Sequence, residues 1–172
     1  MLVVFLGNPG IEYRLTRHNF GFIVSEQMSF LSSVRWSEKF HGMFAKTEIE
    51  GRQHCFLKPE TFMNLSGKSV QAAKSFFKLE DREIVVVHDD IETEFGSVIC
   101  KEGGGFAGHN GLKSIANSIG SGNFMRIKLG VGRPKKGDVA SFVLGRFTPD
   151  ETAFIPAVAG SAEEKLLALL KN

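Results

Sequence analysis

Two cysteines in 172 residues, Cys55 and Cys100, are all this chain has. Neither belongs to a CxxC pair, which argues against a disulfide framework and a cysteine zinc site and for a reducing compartment, the cytoplasm. No run of eighteen apolar residues occurs, so no membrane span and no membrane partner are expected. The opening MLVVFLGNPG lacks a basic stretch ahead of its apolar residues and meets glycine after six of them. That suits a buried strand better than a secretory signal. No linker rich in proline, glycine and serine divides the chain and no repeat is visible, so residues 1–172 read as one domain.

What is present is ordinary in amount and uneven in distribution. Hydrophobic residues make up 42% and charged residues 23%, with a formal net charge of +2. Residues 80–94 hold seven acids and one base, Arg82. Residues 101–146 hold eight bases against two acids, a net of +6. Such a segment can neutralise phosphates, or it can be a solvated surface opposite an acidic one.

LVVFLG has no polar face, as in strands covered on both sides, and EIVVVHDD is a second such strand ending in charge. FHGMFAKTEIEG and QHCFLKPE read as two strands joined around Gly51. Helices are expected at about 19–31 and 61–77, in HNGLKSIANSIG, over 138–145, and in a tail interrupted near Pro156 and Gly160. GSVICKEGGG and MRIKLGVG supply further strands. The expected fold class is α/β: a mixed, mostly parallel twisted sheet with helices on both faces.

Familiar motifs fail. GNPG is not GxGxxG, and NLSGKS is no Walker loop because Phe62 stands where glycine is required. There is no GxSxG elbow. The triplet His88-Asp89-Asp90 cannot point one way from a strand end, so a metal centre is not the first reading. What remains is polar residues where buried strands end, the edge at which open α/β sheets form their binding crevice. VVVHDD and LGN deliver His88, Asp89, Asp90 and Asn8 there, while TRHN and GHNG add His18, Asn19, His109 and Asn110. A histidine whose tautomer is fixed by an aspartate can take a proton from water near neutral pH. Asparagine amides can steady that water or donate to a developing oxyanion without titrating. The residues alone do not choose among the histidines. Glycines 103–105, 108 and 111 could turn backbone amides toward an anion or form a mobile connector.

Taken together, LGNPGIEYRLTRHNFGF (6–22), KPETFMNLSG (58–67), VVHDDIE (86–92), GGGFAGHNGLKSI (103–115), FMRIKLGVGRP (124–134) and DVASFVLGRF (138–147) resemble bacterial peptidyl-tRNA hydrolases in order and over nearly the whole chain. The resemblance implies a monomeric cytoplasmic enzyme, with no cofactor, metal or obligate protein partner. It would cleave the ester between a peptide and the 3′-terminal ribose of tRNA. It implies His18 as base, Asp89 as orienting acid and Asn8 as a catalytic amide. Tyr13, Met63, Asn64, His109 and Asn110 would line the cleft for the peptide and 3′ end, with Lys101, Lys128 and Arg133 on the 5′ phosphate of the acceptor stem. Three departures stand out: Ile99 where a base is common, Glu92 where aspartate is usual, and a short C-terminal tail that suggests a trimmed lid. A covalent Ser66 or Ser69, a metal-dependent hydrolase and a non-catalytic RNA-binding module are the alternatives.

Overall fold

The computed structural model describes residues 1–171. Seven strands form one sheet: β1 (Leu2–Phe5), β2 (Ser37–Lys39), β3 (Gly42–Ile49), β4 (Arg52–Pro59), β5 (Ile84–Asp90), β6 (Val98–Glu102) and β7 (Met125–Gly130). Their spatial order is β2-β3-β4-β1-β5-β7-β6. The central four, β4-β1-β5-β7, are parallel, and antiparallel strands flank them on each side. The helices are α1 (Phe20–Gln27), α2 (Ser66–Phe77), α3 (Asn110–Ile119), α4 (Val139–Val143) and α5 (Pro149–Leu170).

The unbroken apolar character of β1 and β5 has a direct cause. Val3, Phe5, Val85 and Val87 pack with Phe20 and Val24 of α1 and with Ile155, Val158 and Leu166 of α5. Leu2, Val4, Ile84 and Val86 pack with Val70 and Ala73 of α2 and with Leu112 and Ile115 of α3. Both faces are covered, so no polar alternation survives. This is the mixed α/β architecture that the order of elements predicts.

Several boundaries differ from the sequence reading. The tail is one continuous helix through Pro156 rather than two pieces. An interior proline costs about 3 kcal/mol. Ile155, Val158, Ala159, Ala162, Leu166 and Leu170 are all at most 5% exposed, and burying each large apolar side chain returns about 1.5–3 kcal/mol, so packing wins. The helix expected from about 61 begins at Ser66, after a 3-10 turn over Met63–Leu65. The short edge strand β2, with all three residues exposed, leaves no periodic signal in the sequence.

The ends of β1 and β5 are locked side by side. Phe5 pairs with Val87, and the Leu6 N–H donates to the Val87 carbonyl at 3.0 Å. Gly21 lets α1 sit directly on those ends: a Cβ there would lie 2.6 Å from Leu6 N, Leu6 O and Val87 O. This close approach carries the preceding 3-10 turn, Arg17–Asn19, over the carboxyl edge of the sheet.

Candidate active site

β5 ends in His88, Asp89 and Asp90, all buried. The Arg17–Asn19 turn lowers His18 onto Asp89. The His18 Nδ1 lies 3.0 Å from both Asp89 Oδ1 and Oδ2. From the far side His109, the residue that caps α3, brings its Nε2 to 3.0 Å from Asp89 Oδ1. One carboxylate, 2% exposed, thus holds two imidazoles whose ring centroids are 4.7 Å apart. A carboxylate can only accept, so Nδ1 of His18 carries its hydrogen and Nε2 is left to take another proton.

The electrostatics follow from this contact. Burial works to lower the pKa of His18, but the charge of Asp89 and its hydrogen bond outweigh that and raise it above 6.5. Burial alone would raise the Asp89 carboxyl, yet the facing His18 and His109 hold it well below the usual carboxylate range. His88 is a different kind of group. Burial, with His109 beside it, pushes its pKa down to about 3. Its Nδ1–H donates to the Asp89 carbonyl at 2.7 Å and its ring sits edge-on to His109.

Asn8 is fixed at both ends. Asn19 clasps its backbone, accepting the Asn8 N–H at Oδ1 and donating from Nδ2 to the Asn8 carbonyl, both at 2.9 Å. The Asn8 Oδ1 accepts the Met63 N–H at 2.8 Å. With that oxygen spent, the amide NH2 is the part of Asn8 left to donate. A cavity of about 450 Å³ lies alongside, lined by Asn8, Tyr13, His18, Phe62, Met63, Asn64, Asn110, Ala140, Val143 and Leu144. It gathers five polar side chains, Asn8, Tyr13, His18, Asn64 and Asn110, at one apolar-walled opening. The link between His18 and Asp89, seventy-one positions apart, is a direct contact.

A second hollow of about 210 Å³ is lined by Asp90, Glu92, Lys101, the glycines 103–105, Ala107, Arg126 and Lys128. Here the charges are less free than a count suggests. Lys128 Nζ pairs with Asp90 at 3.0 Å, and Arg133, outside the hollow, pairs with Glu92. Arg126, 2% exposed, donates to the carbonyls of Gly104, Gly105 and Gly122, and so shapes the glycine loop from inside. Ile99 pairs across the sheet with Lys128, and Lys101 with Arg126, so an aliphatic chain occupies a position beside the basic hollow.

Sequence reasoning singled out His18, Asp89, Asn8, Tyr13, Met63, Asn64 and Asn110, and six of these seven line the main cavity while Asp89 stands behind His18. His109 falls outside the lining and beside Asp89. Ser66 and Ser69 are fully buried, with hydroxyls donating to Met63 and Phe40 carbonyls, and neither reaches the cavity, which removes the covalent alternative. Arg17 is a buried strut. It pairs with Glu151 at 2.6 Å, donates to the Arg146 carbonyl and lies 4.4 Å over the Phe142 ring, tying the His18 turn to the α4 wall. A buried arginine announces itself only through its partners, which come from 125 to 134 positions away.

The donor atoms of His18, Asp89 and His109 lie within 4.8 Å of one another, a spacing that by itself would admit a divalent ion. The hydrogen bonds already account for the arrangement: each imidazole turns an N–H toward the carboxylate.

The family model for peptidyl-tRNA hydrolase matches residues 2–172. The chain belongs to the peptidyl-tRNA hydrolase family. It is 47% identical over 156 residues to the peptidyl-tRNA hydrolase of Geotalea daltonii, covering 90% of this chain and 82% of that one. It is 44% identical over 170 residues to that of Geotalea uraniireducens, covering 98% and 89%. The crystal structure of peptidyl-tRNA hydrolase from Acinetobacter baumannii superposes with a TM-score of 0.90 at 36% identity, covering 99% of this chain and 87% of that one. The likeness in fold therefore extends over nearly the whole chain.

Proposed function

We propose that this chain hydrolyses the ester between a peptide, or an N-blocked amino acid, and the 3′-terminal ribose of tRNA, returning tRNA from prematurely released peptidyl-tRNA. The observation that carries the reading is the His18–Asp89 contact beside a cavity rimmed by asparagine amides. In this reading Asp89 holds the Nδ1–H tautomer, and His18 Nε2 takes a proton from water as the water oxygen attacks the ester carbonyl. The tetrahedral intermediate then breaks its bond to the ribose oxygen, which leaves as the tRNA hydroxyl with the proton returned by His18. The developing oxyanion needs a donor that does not titrate. The Asn8 amide suits that task, since its oxygen is already held by Met63 N–H. Asn64 and Asn110 steady the water and the 3′ end. Tyr13, Met63 and the apolar wall of Phe62, Val143 and Leu144 accept a peptide without reading its sequence.

The basic hollow supplies the grip on the tRNA 5′ phosphate through Lys101 and Lys128, with Arg133 at its margin. Phosphate must compete there with Asp90 and Glu92, so binding is expected to weaken steeply with salt. The reaction so drawn uses no cofactor or metal. Among the described residues no helix is long and apolar enough to cross a membrane. A one-domain monomer acting in the cytoplasm fits this reading.

The test is release of N-blocked amino acid from N-acyl-aminoacyl-tRNA. The intact chain should turn over, and His18→Ala should lose about 10²–10⁴-fold or more of kcat. Unimpaired turnover in His18→Ala would remove His18 as base. No turnover by the intact chain, with tRNA still bound, would make it a binding module. Activity lost to a chelator and restored by a divalent ion would replace the metal-free route.

A further inference from the structure

His109 has no place in the cavity wall, and its hydrogen bonds say what it does instead. It sits at the N-cap of α3 with extended backbone, φ −66° and ψ 111°. Its Nδ1 receives two backbone N–H groups, from Gly111 at 3.1 Å and Leu112 at 3.4 Å. A backbone N–H can only donate, so Nδ1 must present its lone pair. Its Nε2 faces Asp89 Oδ1 at 3.0 Å, and a carboxylate can only accept, so Nε2 must carry the hydrogen. Both ring nitrogens are therefore assigned by their partners.

The consequence runs in two directions. A proton added at Nδ1 would break both cap bonds and set a positive charge against the positive end of the helix dipole. That removes His109 as a second base. Meanwhile the ring has no freedom to turn. Its side chain is 7% exposed, Gly111 and Leu112 hold one edge, and the buried His88 ring stands 5.1 Å away at 82°. Asp89 shares Oδ1 between His109 and His18 and offers Oδ2 to His18 alone. Without a donor fixed on the far side, the carboxylate could rotate away from His18.

We infer that His109 is a positioning residue: the first amides of α3 lock it as the Nε2–H tautomer, and the locked ring pins the Asp89 carboxylate in the orientation that holds His18. Histidine is not among the favoured helix caps, which are asparagine, aspartate and serine. Its other nitrogen explains its presence here. The two histidines on Asp89 thus have opposite tautomers and opposite jobs. His18 is tethered by Nδ1–H and works through Nε2, whereas His109 is tethered at both nitrogens and works through neither.

The kinetic half of the test rests on the proposed hydrolysis, and the spectroscopic half does not. Two-bond ¹H–¹⁵N correlations on the ¹⁵N-histidine-labelled full chain, assigned by loss of signal in His109→Asn, should show His109 with a protonated Nε2 and a bare Nδ1. A protonated Nδ1, whether in the other tautomer, a doubly protonated ring or a mixture, would overturn the lock. His109→Asn keeps a favoured cap but is too short to reach Asp89. It should leave the fold and KM within about twofold of the intact chain and lower kcat about tenfold or more. His109→Gln can reach Asp89 but caps poorly, and should recover part of kcat at a lower Tm. A raised KM with kcat intact would make His109 a substrate contact and overturn the positioning role, as would unchanged kcat in both variants. Absence of hydrolysis by the intact chain would sink the hydrolase reading, and the tautomer measurement would still decide the lock.

Discussion

Asp89→Asn is the substitution that separates charge from shape at the centre of the site. The side chain is nearly isosteric, yet three acceptor contacts at 3.0 Å, two from His18 and one from His109, meet it at present. An amide has one acceptor oxygen and a donating NH2. It can satisfy one imidazole as a carboxylate does. The other must either face an opposing donor or change tautomer. If His18 changes, its proton moves to Nε2 and the base is gone. An amide in place of the orienting acid of a catalytic triad lowers kcat by about 10⁴ through the same tautomer fault, and general-base catalysis as a whole supplies about 10²–10⁴. A loss on the order of 10²–10⁴ in kcat is expected here, with KM little changed.

The same substitution should move the pH profile in the opposite sense from what a weaker enzyme suggests. In the intact chain burial lowers the pKa of His18 while the charge and hydrogen bond of Asp89 raise it, and the net is above 6.5. The base must be neutral to act, so kcat/KM should rise with pH to a midpoint above 6.5. In Asp89→Asn the burial remains and the opposing charge is gone. The midpoint should fall below 6.5, giving a slower enzyme that reaches its plateau at lower pH. Linkage gives a matching stability effect. A pKa raised on folding contributes stability that is complete below about 6.5 and lost as pH rises through the folded value. The Tm difference between the two proteins should therefore be larger near pH 6 than near pH 9. The assay is release of N-blocked amino acid from N-acyl-aminoacyl-tRNA between pH 5 and 9, with the uncatalysed rate subtracted. A variant midpoint equal to or above that of the intact chain would refute the assignment of Asp89 as the group that raises His18.

Ile99→Lys should add a cation beside Lys128, strengthening tRNA binding at low salt and steepening the log–log salt dependence by about 0.7–0.9; an unchanged slope in a filter-binding titration would show that the position does not face phosphate. Gly67→Ala should destabilise the fold by about 1–3 kcal/mol in urea unfolding, because the added Cβ would stand 2.1 Å from the backbone carbonyl of Ser114 where α2 crosses α3; a variant as stable as the intact chain would contradict that close packing.

The parts of this molecule that the sequence discloses are those in which local pattern and tertiary role agree. β1 and β5 are apolar at every core position because both faces are covered, and their polar ends mark the edge where His18, Asn8 and Asp89 meet. The parts it hides are those in which a distant partner overrules the local signal. Pro156 breaks a helix by propensity and does not break α5, because the residues around it are seated on the sheet. Arg126 reads as one more cation of a phosphate-binding segment, but three carbonyls consume it as a scaffold for the glycine loop. The family resemblance makes His109 a cleft residue, and only the approach of Asp89 shows that its second nitrogen is also taken.

The end of β5 adds a constraint that joins the two hollows. Asp89 and Asp90 are consecutive, and successive side chains of a strand point to opposite faces. Asp89 is spent on the two histidines, and Asp90 on Lys128 and on the Thr93 hydroxyl at 2.5 Å. A single peptide bond therefore separates the carboxylate that holds His18 from the carboxylate that pairs with Lys128. A phosphate that draws Lys128 from Asp90 leaves a buried carboxylate with fewer partners, next to the carboxylate whose charge holds His18. On the proposed hydrolysis, phosphate binding in the hollow and the setting of His18 would be coupled through these adjacent carboxylates, and a substrate lacking its 5′ phosphate should then lose kcat as well as affinity, whereas a hollow independent of the site would cost affinity alone.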